Sequence, residues 1–319
     1  MLRSLVVSSV LFCSFIYGSA GLAQEYPSKP VRILTASAGG GADFTARQVA
    51  QGITAPLGQP IVVDNRPNVT LGELFSKAAP DGYTLHVNGN SVWIRPLLVK
   101  MPYDAIKDFA PISLIERVPY IIAVHPSVPV KTIKELIALA KARPGELNYG
   151  SASVAGPSHL AAEFFTSLAR VNIVGVQYKG NAAAINALVA GEVQMTIIDA
   201  GLLANHIKSG RLRPLAVTSA SPSAMVPAGV PTAVSSGLAG YVLGSVTGIW
   251  APARTPDAII KRLNQEIVRH VQRPEVKERF FNAGVEVIGS SPEEFAEFIR
   301  TDTVNMAKII KDANIKIDP

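Results

Sequence analysis

From residue 24 onward, short β-branched runs alternate with stretches whose apolar positions recur every three to four residues. Val31-Arg32-Ile33-Leu34 predicts a strand, and 43–55 a helix with Phe44, Ala46, Val49, Ala50 and Ile53 on one face. A strand at 61–63, a short helix at 71–78, the turn Pro80-Asp81-Gly82 and a strand at 84–87 follow. Further strands are expected at 112–115 and 120–124. Thr132-Ile133-Lys134-Glu135 is a capping box that opens a helix ending before Pro144. The alternation resumes with strands near 148–149, 173–176, 195–198 and 215–218, and with helices at 158–168, 181–190 and 202–209. The end is helical: one helix starts at Thr255-Pro256, the next at Pro274, and the last at a second capping box, Ser291-Pro292-Glu293-Glu294. Such interleaving predicts an α/β fold with parallel sheets covered on both faces.

Composition narrows the class. Of 319 residues, 48% are apolar and 17% charged, which excludes a disordered chain. The net charge of +6 is spread along the sequence without the clustered basic footprint of a nucleic-acid binder. Residues 1–23 resemble a secretory leader: Arg3 is the charged start, an apolar stretch follows, and Gly21-Leu22-Ala23 offers a cleavage site after Ala23. The apolar run is shorter than the ~20 residues a spanning helix needs. Cleavage would remove Cys13, the only cysteine, and leave a soluble periplasmic chain with a net charge of +5.

Catalytic signatures are not evident. The histidines form no HExxH or HxH pair, no GxSxG elbow occurs, and Gly39-Gly40-Gly41 lacks the Lys-Ser/Thr of a phosphate loop. Neither a metal site nor a cofactor is expected. Two loops carry binding chemistry. Ser37-Ala38-Gly39-Gly40-Gly41-Ala42-Asp43 joins a strand to a helix start, where free N–H groups suit an anion. It is equally readable as a plain turn with Asp43 as N-cap. The loop through Ser151, Ser153, Ser158 and His159 repeats the arrangement, and an ordinary Ser/Gly loop is its alternative.

The chain also resembles the periplasmic solute-binding proteins of tripartite tricarboxylate transporters, the Bug family. The resemblance rests on Tyr26-Pro27-Ser28-Lys29-Pro30-Val31-Arg32, Gly39-Gly40-Gly41, Asp64-Asn65-Arg66-Pro67 and Ala78-Ala79-Pro80-Asp81-Gly82-Tyr83-Thr84-Leu85. It continues through Lys107-Asp108-Phe109-Ala110-Pro111, Ser158-His159-Leu160, Tyr178-Lys179-Gly180 and Ile309-Ile310-Lys311-Asp312-Ala313. It implies two α/β lobes joined by two crossing segments, near 122–126 and 242–248, with a ligand cleft between them. Lobe one would comprise 24–124 and 246–319, and lobe two 125–245. It further implies a non-enzymatic monomer that closes by a hinge on a small organic carboxylate and delivers it to membrane transporter subunits. A sensory protein that docks on a membrane sensor would use the same cleft, and a periplasmic enzyme is the remaining alternative.

The family pattern is altered in lobe one. Thr35-Ala36-Ser37-Ala38 replaces Pro-Phe-Ala-Pro, and Asn68-Val69-Thr70-Leu71 replaces a Gly-Ala-Gly-Gly loop. Asn90 and Ser91 fit a hydroxyl-rich family stretch, whereas Trp93 is large for its position and reads as core or as an aromatic wall to the ligand. In lobe two, Tyr178 and Lys179 match the pattern, Lys179 being a partner for a carboxylate or a solvated surface cation. Asp199 aligns with a family cleft residue and equally suits the N-cap of the next helix. The leader yields the first prediction: the intact mass of the exported protein corresponds to a chain beginning at Gln24, and a product retaining Cys13 would refute it.

Overall fold

The structure, a computed structural model, describes residues 26–152, 156–312 and 315. The expected leader and Ser153 lie outside the described residues.

The first half of the chain forms β1 (Val31–Thr35), α1 (Gly41–Leu57), β2 (Ile61–Asn65), α2 (Asn68–Ser76), β3 (Thr84–Gly89), a single turn α3 (Ser91–Ile94) and β4 (Phe109–Val124). Then come α4 (Ile133–Ala142), β5 (Asn148–Ser151), α5 (Pro157–Ala169), β6 (Val174–Gln177), α6 (Asn181–Ala190), β7 (Met195–Asp199), α7 (Ala200–Lys208) and β8 (Arg213–Val217). The chain closes with β9 (Gly244–Pro252), α8 (Asp257–Val271), α9 (Pro274–Asn282), β10 (Glu286–Val287) and α10 (Pro292–Asp312). Both capping boxes form. Thr132 accepts the Glu135 N–H at 3.2 Å, and Ser291 accepts the Glu294 N–H at 3.1 Å.

The strands run in the order β2-β1-β3-β9-β4-β7-β5-β6, with β8 and β10 also paired to β4. The expectation of parallel sheets holds only in part. β1 is parallel to β2 and β3, and β5 is parallel to β6 and β7. β9 runs antiparallel to β3 and β4, and β4 antiparallel to β7 and β8. The cause is that β4 leaves the first sheet and β9 re-enters it, side by side and in opposite directions.

The two strands expected at 112–115 and 120–124 are one 16-residue strand. Up to Pro119 it pairs with β9, and from Tyr120 it pairs with β7 and β8. Pro119 has no N–H to donate and stands where the ladder changes partners. Gly244 faces it across the other crossing, and a Cβ there would meet the Val118 carbonyl oxygen at 2.8 Å. The Thr218 hydroxyl joins the two crossings, accepting the Tyr120 N–H at 3.0 Å and donating to the Leu243 carbonyl at 2.8 Å.

Strand alternation sends side chains to opposite faces. Val31, Ile33, Ile249 and Ala251 pack under α1 and α8, while Leu34 and Trp250 pack with Trp93 and with Phe295 of α10. Ile122 and Val124 meet α4 and α5, whereas Ile121 and Ala123 meet α6 and α7. Cores on either side of the crossings, with Leu160 of α5 also joining the cluster around Trp93, make this the two-lobed fold with a cleft between lobes.

Glu116 interrupts this apolar packing. Its buried carboxylate accepts the Thr45 hydroxyl at 2.7 Å and is also bonded by the Thr247 hydroxyl. Burial outweighs both bonds and pushes its pKa up to about 7. The folded protein therefore holds this proton more tightly than the unfolded chain, and stability falls as pH rises from about 4.5 to about 7. Glu116→Gln is expected to melt a few degrees above the parent at pH 8, with the gap closing toward pH 5. A gap that does not change between pH 5 and 8 would show that Glu116 titrates normally.

Candidate functional site

Two adjoining chambers lie between the lobes. The smaller, of about 70 Å³, is lined by Tyr120, Ala152, Pro157, Ser158, Asn181, Ile198, Asp199 and Ser245. Pro157 and Ser158 begin α5, Asn181 begins α6, and Asp199 is the N-cap of α7. Three helix N-termini thus meet at one chamber, where first-turn N–H groups have no partner within their own helices. Their aligned dipoles contribute positive potential to the space, against the Asp199 carboxylate beside it.

Local sequence explains the convergence. Each helix follows a short parallel strand, so its start lies beyond the carboxyl end of the sheet, where α/β proteins bind ligands. Pro157 is pre-set for a first helical turn, and Gly180 takes φ 95° to turn the chain into α6. The Ser158 hydroxyl accepts the Ala152 N–H at 3.1 Å and fixes the loop's return.

Asp199 occupies the N-cap position of α7 without a side-chain capping bond. Its carboxylate stays half-buried beside the chamber, and that burial raises its pKa to about 6. Tyr120 lies opposite Asp199 in the ladder, and its hydroxyl bonds Ser245.

The larger chamber, of about 310 Å³, shares Tyr120 and Pro157 with the smaller. Asn90, Ser91, Ile94, Arg95, Leu98 and Val99 form one side, and Leu160 and Ala161 of α5 another. Leu243 and Gly244 of the second crossing and Asp302 and Met306 of α10 complete the wall. Asn90 also reaches the Gly244 carbonyl at 3.4 Å.

Of the residues singled out from sequence, Asn90, Ser91, Ser158 and Asp199 line these chambers. Ser37, Ala38, Gly39, Gly40 and Gly41 form an exposed turn outside both. Gly39 has φ 82°, a conformation that costs a side chain dearly, and a Cβ on Gly39 or Gly41 would meet nothing within 4 Å. The N-cap of α1 is Gly40, not Asp43. Asp43 sits in the first turn after Ala42 and reaches back to accept the Gly39 N–H at 2.9 Å. Arg47 and Asn65 also bond it, and the Arg47 guanidinium leads in holding its pKa down at about 2. The helix start in lobe one therefore carries an anion of its own.

Trp93 is core: it packs against Trp250, Phe295 and Phe298, and its indole N–H donates to Asp302 at 2.7 Å. It touches the site through that carboxylate. Ser151 is buried and bonds Gln177 at 2.6 Å. His159 turns toward Glu163, which also receives the Tyr149 hydroxyl. Tyr178 packs beside the core formed with α6 and α7, and Lys179 is exposed.

Sequence reasoning missed Tyr120, Asn181, Ser245, Arg95, Asp302 and Met306. One of them carried a signal. Phe295, Ile299, Met306 and Ile309 form the buried stripe of α10, and Asp302 falls in its register as the polar exception. Among the described residues no group of three or more His, Cys, Asp or Glu could hold a metal, and no helix is long and apolar enough to cross a membrane.

The family model for tripartite tricarboxylate transporter family receptors matches residues 45–315. The chain belongs to that family. Among curated proteins, this receptor is 35% identical over 320 residues to a UPF0065 protein of Bordetella bronchiseptica, covering 98% of this chain and 94% of the other. A solved Rhodopseudomonas palustris structure, Rpa4515 with adipate, is 30% identical, covers 91% of this chain and 99% of its own, and superposes with a TM-score of 0.72. MatC from the same organism, with bound malate, is 26% identical, covers 89% of this chain and 100% of its own, and has a TM-score of 0.69.

Proposed function

We propose that this receptor is exported by its leader, captures a small organic carboxylate between its lobes, and presents it to the membrane subunits of a tripartite tricarboxylate-type transporter. It acts as a periplasmic monomer and catalyses nothing. The observation that carries this reading is the meeting of three helix N-termini at the smaller chamber. Such a site supplies N–H donors to a carboxylate, each charge-assisted bond contributing about 1.5–3 kcal/mol. The adipate and malate held by the two Rhodopseudomonas relatives support the same ligand class.

The lobes part where β4 leaves β9 for β7 and β8, at Pro119 and Gly244 rather than at the expected 124 and 245, and they hinge near these two crossings. Asn90 and Ser91 bring lobe one to the ligand, and Ser158 and Asp199 bring lobe two. Ligand that contacts both lobes favours the closed state and shifts the population toward it. Hexanoate and 6-hydroxyhexanoate are expected to raise the melting temperature and reduce the radius of gyration, while the matching amides do neither. Equal stabilisation by the amides would remove the anion site, and an unchanged radius at saturation would remove the hinge.

Asp199 adds a linked expectation. An anion seated beside this half-buried carboxylate pushes its pKa further above about 6, so binding near pH 7 takes up protons. Calorimetry in buffers of different ionisation heat should detect the uptake, and Asp199→Asn should abolish it. Uptake that persists in the variant would assign the proton to another group.

A further inference from the structure

The larger chamber differs in chemistry from the smaller one. Ile94, Leu98, Leu160, Leu243 and Met306 give it a hydrocarbon wall. Set into that wall is the Asp302 carboxylate, half-buried and bonded by the Trp93 indole N–H at 2.7 Å. An indole only donates, so Trp93 holds Asp302 as an acceptor and leaves further lone pairs unused. Burial raises the pKa of Asp302, the Trp93 bond opposes that shift, and no cation contributes. Arg95 also lines the chamber, but it is exposed, so its charge is screened by water. Tyr120 and Pro157 belong to both chambers, so a ligand anchored in the smaller has the larger as its neighbouring space.

Resting on the smaller chamber as the carboxylate seat, we infer that the ligand is a monocarboxylate with an apolar body whose far end offers an O–H or N–H to Asp302. The same residue excludes a second carboxylate. Two like charges brought together beside a hydrocarbon wall repel, which selects against the wrong ligand. A methyl terminus is tolerated but leaves Asp302 without a second partner. A hydroxyl or ammonium terminus supplies one.

A six-carbon series isolates the terminus: hexanoate, 6-hydroxyhexanoate, 6-aminohexanoate and adipate, each titrated calorimetrically into the whole mature chain. Both donor-ended acids are expected to bind at least about tenfold more tightly than adipate, the scale of one hydrogen bond to a charged group. Asp302→Asn keeps an acceptor for Trp93 while removing the charge. It is expected to tighten adipate and bring the ratio near one. Adipate binding as well as 6-hydroxyhexanoate to the parent protein would overturn the inference and leave the carboxylate reading intact. A ratio unchanged in a folded Asp302→Asn would overturn it too. Failure of all four acids to bind would overturn both readings. The parent series decides the matter alone if the variant does not fold.

Discussion

A β-strand buried in a protein must find partners for its backbone N–H and C=O groups along its whole length. In this receptor β4 is 16 residues long and neither lobe supplies a neighbour for all of it. The chain meets that requirement by changing partners at Pro119, from β9 to β7 and β8. The lobes are consequently held by a shared ladder rather than by a loose linker. Rotation of one lobe against the other must bend these strands where the ladder is interrupted. Tyr120 and Gly244 stand at those points and also line the larger chamber. A hinge at the crossings, as proposed above, shares these residues with the chamber.

The pattern of buried charge follows from this arrangement. Asp43, away from the chambers, is satisfied by Arg47, Asn65 and the Gly39 N–H and has a low pKa. Glu116 is buried and Asp199 and Asp302 are half-buried near the crossings, with neutral partners or none, and each has a raised pKa. Desolvating a carboxylate without a cation lowers stability. That cost is concentrated where the lobes meet, a region whose packing depends on what sits between them.

Much of the fold was legible because it depends on local signals. The span 181–190 is a helix to the residue, and both capping boxes start their helices where Thr132 and Ser291 stand. The antiparallel course of β9 was not legible, because partner choice is a non-local property. Its glycines and the prolines of β4 suggest breaks when read along the sequence alone. In the site, the serine loop is visible in composition, yet Ser151 and His159 turn inward to Gln177 and Glu163. Asn181 and Ser245 are ordinary polar residues whose importance comes only from convergence in space. Trp93, readable from sequence as core or as ligand wall, packs in the core and acts on the chamber through Asp302.

The aromatic packing behind that chamber has an optical consequence. The chain has two tryptophans, Trp93 and Trp250, and their rings stand 6.0 Å apart in one buried cluster. One bonds a carboxylate of the chamber, and the other lies on the strand that carries the second crossing. Light absorbed by indole in this protein is therefore absorbed in the packing behind the larger chamber. Its native fluorescence is a built-in reporter of the cleft, with lobe two contributing no tryptophan background.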